Sequence, residues 1–214
     1  MNAPNRLDMR DAIVQEHCPA VMVPSHSVCP FLARKGHQYL VAQDGVYLEV
    51  ARPAMVLMHR IAPSKVAMPY GTLNESISLS YGRLSEHLPL LRQFLADARA
   101  ALPNEFAAWL IWDDFDRRLR YAPCKTIEAT PGSVHFERPK LDEHESCAVD
   151  LHSHGTLAAF FSPTDDIDDA GEVKIAGVVG NIDTDQPTSA FRICALGLFI
   201  DVPFPAEAWN KDTE

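Results

Sequence analysis

Long apolar runs and paired cysteines are both missing from this 214-residue chain. No run approaches the roughly 18 apolar residues of a membrane-spanning helix, and residues 1–20 lack the apolar core of a signal peptide. The 5 cysteines are scattered and form no Cys-x-x-Cys pair, which favours reduced thiols over a disulfide framework. These absences predict a cytoplasmic protein.

Basic residues are also scarce relative to acidic ones. The chain has 19 Lys and Arg against 29 Asp and Glu, a formal net charge of −10 at pH 7. Nucleic-acid binding depends largely on basic side chains that neutralise phosphates, so this charge argues against a nucleic-acid binder. The Gly-x-Gly-x-x-Gly and P-loop patterns are absent as well. The remaining composition is that of a globular protein with one sizeable domain, or a core domain with a smaller addition.

One stretch, from Asp150 to Asp165, gathers the side chains best suited to chemistry. His152 and His154 are two apart, so on a strand both imidazoles point to the same face. Ser162-Pro-Thr-Asp165 is typical of a helix start, with Ser162 as the N-cap and Asp165 at the third helical position. Such a strand and helix can hold Zn²⁺ through three side chains and leave a fourth position for water. The pattern predicts a zinc site of His152, His154 and Asp165.

The spacing His-x-His, seven residues, Ser, two residues, Asp resembles the motif of the JAMM (JAB/MPN-type) zinc metalloproteases. That family also needs a glutamate upstream, at the start of an apolar strand that follows an amphipathic helix. Apolar residues at helical spacing predict such a helix, capped by Ser85 and ended by Pro103. Glu105 follows, 47 residues before His152, and opens an apolar run. By this resemblance Glu105 is the catalytic glutamate.

The resemblance covers residues 85–202 and implies an α/β fold, in which a mixed, curved sheet is flanked by helices. It also implies hydrolysis of a peptide or isopeptide bond, often after the C-terminal tail of a ubiquitin-like protein. In such a site Glu105 takes a proton from the attacking water and passes it to the leaving amine, while the Ser162 hydroxyl stabilises the oxyanion. Asp150, on the same strand face as His152, is a candidate partner for a ligand imidazole.

Residues 1–84 are predicted to form a separate β-rich module of unknown role. Asp44-Gly45 is the strongest hairpin signal in it, and two predicted strands flank this dipeptide. Residues 1–17 are polar and weakly periodic, which favours a loosely packed arm, and the tail from residue 203 to 214 is expected to be frayed. The module resembles the N-terminal extension found in the bacterial PRTRC cassette, which also encodes ubiquitin-like, E1-like and E2-like proteins. That resemblance implies a ubiquitin-like substrate, with the other cassette proteins as further partners.

Further strands are predicted on either side of the motif. Residues 126–136 are candidates for one hairpin, and the polar segment around it could flank the substrate groove. Residues 173–180 and 191–200 are each expected to form one strand, joined by a hairpin loop.

The helix that begins after Ser162 has 3 other acidic residues, Asp166, Asp168 and Asp169. They are expected to be solvated and individually replaceable with little loss of metal.

Two alternatives compete with the JAMM interpretation. Asp-x-His-x-His also opens amidohydrolase and PHP-type phosphoesterase barrels, but a full barrel needs about 200 residues or more and further histidines. Only 60 residues follow His154, and none of them is histidine. The second alternative is a non-catalytic JAMM-like fold that serves as a scaffold or binding module. Such relatives typically lack one or more ligands, whereas this chain keeps every position of the motif.

Overall fold

The computed structural model describes residues 7–204 and Trp209. The chain divides into two compact units, one that ends at Leu79 and one that begins at Ser80. Each unit has its own principal sheet. No helix within the described ranges is long and apolar enough to cross a membrane.

The first unit is β-rich, as predicted. It consists of helix α1 (Met9–His17) and strands β1 (Ala20–Met22), β2 (Gly36–Ala42), β3 (Gly45–Ala51), β4 (Met55–Pro63) and β5 (Ser76–Leu79). The strands lie in sequence order in one sheet, with β1 parallel to β2 and the remaining neighbours antiparallel. Strands β2 and β3 form the predicted hairpin, because Ala42 pairs with Gly45 across the turn.

A helix, α1, forms within residues 1–17, the segment expected to be a loosely packed arm. Asp8 caps this helix, since its carboxylate accepts a hydrogen bond from the Arg10 backbone N–H at 2.9 Å. The helix buries none of its side chains, which explains why its apolar periodicity is weak. Residues 1–6 of the expected arm lie outside the described residues.

The second unit follows the predicted α/β plan. After a 3₁₀ turn (Leu84–His87) come α2 (Leu88–Ala101), β6 (Ala107–Asp113), β7 (Arg118–Pro123), β8 (Lys125–Thr130), β9 (Ser133–Glu137), β10 (Glu145–Ser153), α3 (Pro163–Asp169), β11 (Val173–Gly180), β12 (Thr188–Ala195) and β13 (Leu198–Asp201). Six strands form a mixed sheet in the order β13-β12-β11-β10-β6-β7. Only β10 and β11 are parallel neighbours among them. Strands β8 and β9 form the predicted hairpin as a separate two-stranded sheet.

Helix α2 and strand β6 build the start of this unit's core. The predicted apolar stripe is buried on α2, at Leu91, Phe94, Leu95 and Ala98. The helix begins at Leu88, later than predicted, because Ser85 lies in the preceding 3₁₀ turn and makes no N-cap. Every residue of β6 is buried, in agreement with its continuous apolar sequence.

The prediction of one strand over residues 191–200 was wrong. The chain turns back between β12 and β13 at Leu196 and Gly197, whose φ angles are 55° and 90°. Ala195 pairs with Leu198 directly across this turn. Two consecutive left-handed residues are typical of a tight hairpin turn, and an apolar residue at one of them conceals the turn in the sequence.

The expectation of a frayed tail fails where the tail is described. Trp209 is only 5% exposed, and its ring lies 5.4 Å from that of Phe204. Its indole N–H also donates to the Ser189 hydroxyl at 3.2 Å. Residues 205–208 and 210–214 lie outside the described residues.

Candidate metal centre

Strand β10 brings the two histidines of the motif together at its end. His152 and His154 converge, with 3.2 Å between their Nε2 atoms. His154 follows the last residue of β10, and its N–H donates to the Val179 carbonyl on the parallel strand β11 at 2.9 Å. The two-residue spacing therefore places both imidazoles on one side, as the strand geometry predicts.

Helix α3 brings Asp165 to the same place. Ser162 is the N-cap, Asp165 is the third helical residue, and the two form a reciprocal capping box. Oδ2 of Asp165 accepts hydrogen bonds from the Ser162 N–H at 2.6 Å and the Ser162 hydroxyl at 2.7 Å. The other oxygen, Oδ1, lies 3.4 Å from His152 Nε2. The cap thus holds one carboxylate oxygen and leaves the other facing the imidazoles.

These three side chains fit a zinc ion. Their donor atoms all lie within 4.8 Å of one another. Tetrahedral zinc with bonds of 2.0–2.1 Å places neighbouring donors about 3.3 Å apart, close to the 3.2 Å and 3.4 Å found here. Burial lowers the pKa of both His152 and His154, with Asp165 acting in the opposite direction. The neutral imidazole that burial favours is the form that binds a metal.

Glu105 reaches this site because the chain before β6 is fixed to the end of β10. The Ser153 N–H donates to the Phe106 carbonyl at 2.9 Å, and the Phe106 N–H donates to the Ser153 hydroxyl at 3.0 Å. Ser153 lies between the two histidines in sequence, so this exchange places Glu105 beside them. The residue is 7% exposed. Burial, and secondarily the charge of Asp165, raises the pKa of Glu105 to about 7.

One cleft of about 440 Å³ is lined by all the predicted site residues, Glu105, His152, His154, Ser162 and Asp165. Its walls include the β8–β9 hairpin over residues 132–136, together with Leu157 and Phe160. The ring of Phe160 stands edge-on to that of His154, with 4.5 Å between their centroids. The cleft includes Glu105 but neither Glu128 nor Glu145, two other carboxylates of this unit.

Asp150 does not have the partner that its place on the strand suggested. Its carboxylate accepts a hydrogen bond from Lys174 Nζ at 2.6 Å, and so serves a lysine of β11 in place of an imidazole. Lys174 also pairs with Asp169 of α3 at 2.9 Å. Asp169 is 5% exposed, which corrects the expectation that it is solvated.

The sequence indicates these buried charges by a basic residue within an apolar run, a pattern that the sequence analysis did not interpret. Lys174 and Arg192 each interrupt an apolar run within a strand, in Val-Lys-Ile-Ala-Gly-Val-Val-Gly and in Ala-Phe-Arg-Ile-Cys-Ala. A charged residue at such a position requires a buried partner. Their partners, Asp150, Asp166 and Asp169, could not be chosen from the sequence alone.

A model described as prokaryotic homologs of the JAB domain matches residues 87–194, which is half of the chain. The chain belongs to this family. JAB domains often bind zinc, and the family contains both JAMM-type peptidases and inactive members. A second model, a domain of unknown function (DUF2016), matches residues 8–80.

Structural and curated relatives add little to the family assignment. One similar solved structure is the solution structure of protein DSY2949 from Desulfitobacterium hafniense, with 19% sequence identity and a TM-score of 0.40. The match covers 53% of this chain and 86% of that one. The comparison with curated proteins gave no match.

Proposed function

We propose that this chain is a zinc metallopeptidase that hydrolyses a peptide or isopeptide bond. The observation that carries the proposal is the convergence of His152, His154 and Asp165 in the cleft that Glu105 also lines. Membership in a family that contains JAMM-type peptidases supports it. The complete donor set favours catalysis over a purely structural role, because a scaffold has no need of it.

The proposed chemistry divides between the metal and Glu105. A zinc ion held by His152, His154 and Asp165 would polarise the scissile carbonyl and lower the pKa of a water molecule. Glu105 accepts a proton from the attacking water and then delivers it to the leaving amine. A buried carboxyl group whose pKa lies near 7 suits both steps, because it can take up and release a proton near neutral pH.

Ser162 is proposed to stabilise the oxyanion. Its hydroxyl donates to Asp165 Oδ2 at 2.7 Å, so it must rotate away from Asp165 to reach a substrate oxygen. The Ser162 backbone N–H stays on the same carboxylate oxygen at 2.6 Å. The carboxylate of Asp165 therefore remains held while the hydroxyl serves the oxyanion.

We further propose that the chain is protein A of the PRTRC cassette and acts in the cytoplasm. The expected substrate is the C-terminal tail of a ubiquitin-like protein or its conjugate, with E1-like and E2-like cassette proteins as partners. The β-rich first unit, whose residues 8–80 match a domain model of their own, supports this closer likeness. The β8–β9 hairpin beside the cleft supports an extended substrate, since such a tail can pair with a strand edge.

The test uses the full-length chain and a ubiquitin-like protein from the same cassette, fused through its C-terminal tail to a reporter. Intact mass measurement should show cleavage at the tail by the zinc-loaded chain and none after chelation. Cleavage should return when zinc is added back. A chain that takes up no zinc and leaves the fusion intact would contradict the proposal and favour the scaffold alternative.

A further inference from the structure

Helix α3, which carries Asp165, buries no apolar side chain against the sheet. The helix has seven residues, and Asp169 is the only one buried. Its single large apolar side chain, Ile167, is 76% exposed. A helix this short has little stability of its own, so its position depends on its tertiary contacts. Those contacts must therefore be polar.

Two buried cations provide these contacts. Lys174 Nζ lies 2.9 Å from Oδ1 of Asp169, and Arg192 Nη2 donates to Oδ2 of the same carboxylate at 2.7 Å. Arg192 Nη1 donates to Asp166 one turn earlier. Both cations are nearly inaccessible to solvent, with side chains that are 6% and 5% exposed. The two interactions with Asp169 are charge-assisted and shielded from water on both sides, which strengthens them, whereas Asp166 is half-exposed.

Arg192 contacts the chain on both sides of Asp165. Its guanidinium lies between two aromatic rings, 3.9 Å from the centroid of Phe161 and 4.0 Å from that of Phe199. Phe161 is four residues before Asp165, and Asp166 is the next residue after it. The Arg192 side chain thus contacts both the segment before α3, at Phe161, and the first turn of α3, at Asp166.

The same network reaches the strand that carries the histidines. Lys174 bridges Asp169 of α3 and Asp150 of β10, and Asp150 is two residues before His152. Asp150 pairs with Ala176 and Ala176 pairs with Arg192 across β10, β11 and β12, so these residues form one row on one face of the sheet. The charges therefore connect the two elements that supply the metal ligands.

We infer that Arg192 and Lys174 are positioning residues for the metal centre, acting through Asp166 and Asp169 to hold Asp165 against the histidines. This inference rests on the proposed zinc site. Lys174 lines the cleft, but neither cation belongs to the group of donor atoms that could hold the metal. Their effect is on the geometry of Asp165, because the helix has no buried apolar side chain that would keep it in place.

Zinc affinity of the full-length protein, measured by competition with a chromophoric chelator, tests the inference. Asp169→Asn and Arg192→Met should each weaken zinc binding by about 10–100-fold, the usual effect of losing a partner behind a metal ligand. Arg192→Lys should recover part of the affinity, because it keeps the charge but cannot span both carboxylates. Ile167→Ala is the control on the same helix, because this side chain is 76% exposed and does not line the cleft, and it should bind zinc as the parent does.

A second control separates positioning from a general loss of stability. Arg120→Met removes a two-bond ion pair with Glu145 on β7 and β10, away from the cleft. It should lower the unfolding temperature and leave zinc affinity unchanged. Circular dichroism confirms that each variant is folded at the assay temperature. Should Arg192→Met not fold, Asp166→Asn takes its place, since that carboxylate is 51% exposed and its loss is tolerable.

His152→Ala distinguishes failure of this inference from failure of the proposed site. If His152→Ala loses zinc while Asp169→Asn, Arg192→Met and Asp166→Asn bind it as the parent does, the positioning role is refuted and the zinc site stands. If His152→Ala binds zinc normally, the proposed site itself is wrong and the inference falls with it. Weakened binding in the Arg192 and Asp169 variants, together with normal binding in both controls, supports it.

Discussion

Glu105→Gln separates proton transfer from every other role of this residue. Glutamine keeps the size and the hydrogen-bonding reach of glutamate but cannot accept a proton. Glu105 is not in the group of donor atoms around the histidines, so zinc content should stay that of the parent. Turnover should fall by about 10²–10⁴, the usual contribution of a positioned general base.

The same substitution should stabilise the metal-free protein at alkaline pH. Burial, and then Asp165, raises the pKa of Glu105 from 4.5 to about 7. Such a carboxyl group stabilises the fold below pH 4.5, where it is protonated in both states, and this contribution is lost as pH rises through 7. One pKa unit corresponds to about 1.4 kcal/mol, so the loss is at most roughly 3 kcal/mol. Glutamine stays neutral and avoids that loss.

Two measurements on the purified protein check these expectations. Urea unfolding with chelator present should show the variant more stable than the parent at about pH 8 and nearly equal to it at about pH 4.5. Mass measurement of fusion cleavage by the zinc-loaded protein should show the loss of turnover. Glu128→Gln, on the exposed face of β8, is the matched control and should cleave normally. The reasoning is refuted if Glu105→Gln cleaves as fast as the parent, or if Glu128→Gln abolishes cleavage.

The remaining predictions concern the metal ligands, the cap and one glycine. His152→Ala should leave two protein ligands and lose zinc measured by atomic absorption; a full equivalent of zinc in the variant would contradict the ligand assignment. Ser162→Ala should lower the free energy of unfolding by about 1 kcal/mol because the helix cap is lost. It should also lower turnover by about 10²–10³ because the oxyanion donor is lost. Normal turnover with reduced stability would show that Ser162 is only a helix cap. Gly180→Ala should cost about 1–3 kcal/mol in urea unfolding, because its Cβ would clash with the Leu157 carbonyl oxygen. Gly171→Ala, whose Cβ meets nothing within 4 Å, is the control and should be neutral.

Elements whose signals lie within a few residues of one another were predictable from the sequence. The helix start at Ser162 and Asp165 forms as predicted, because both partners of a capping box lie within one turn. The hairpin at Asp44-Gly45 and the apolar stripe of α2 have the same local character. Each depends on backbone geometry and side-chain spacing that the sequence specifies directly.

The sequence did not distinguish two structures that have the same pattern of apolar and polar residues. Residues 191–200, apolar apart from Arg192, are equally compatible with one long strand and with two short ones. The turn at Leu196 and Gly197 lacks the Asn or Asp that usually marks such a position, so only the pairing of β12 with β13 shows it. Helix α1 was missed for a related reason, because a helix that buries nothing has no apolar stripe to detect.

By itself the sequence determined the family motif, its strand-borne histidines and its capped aspartate. Tertiary structure decided how Glu105, which the family resemblance had selected, reaches the same cleft, through the hydrogen bonds between Phe106 and Ser153. Tertiary structure also paired Lys174 and Arg192 with acids 5 to 26 residues away. The physical reason is that these contacts depend on the register of β10, β11 and β12. Register is set by the packing of the whole sheet, and no short stretch of sequence contains it.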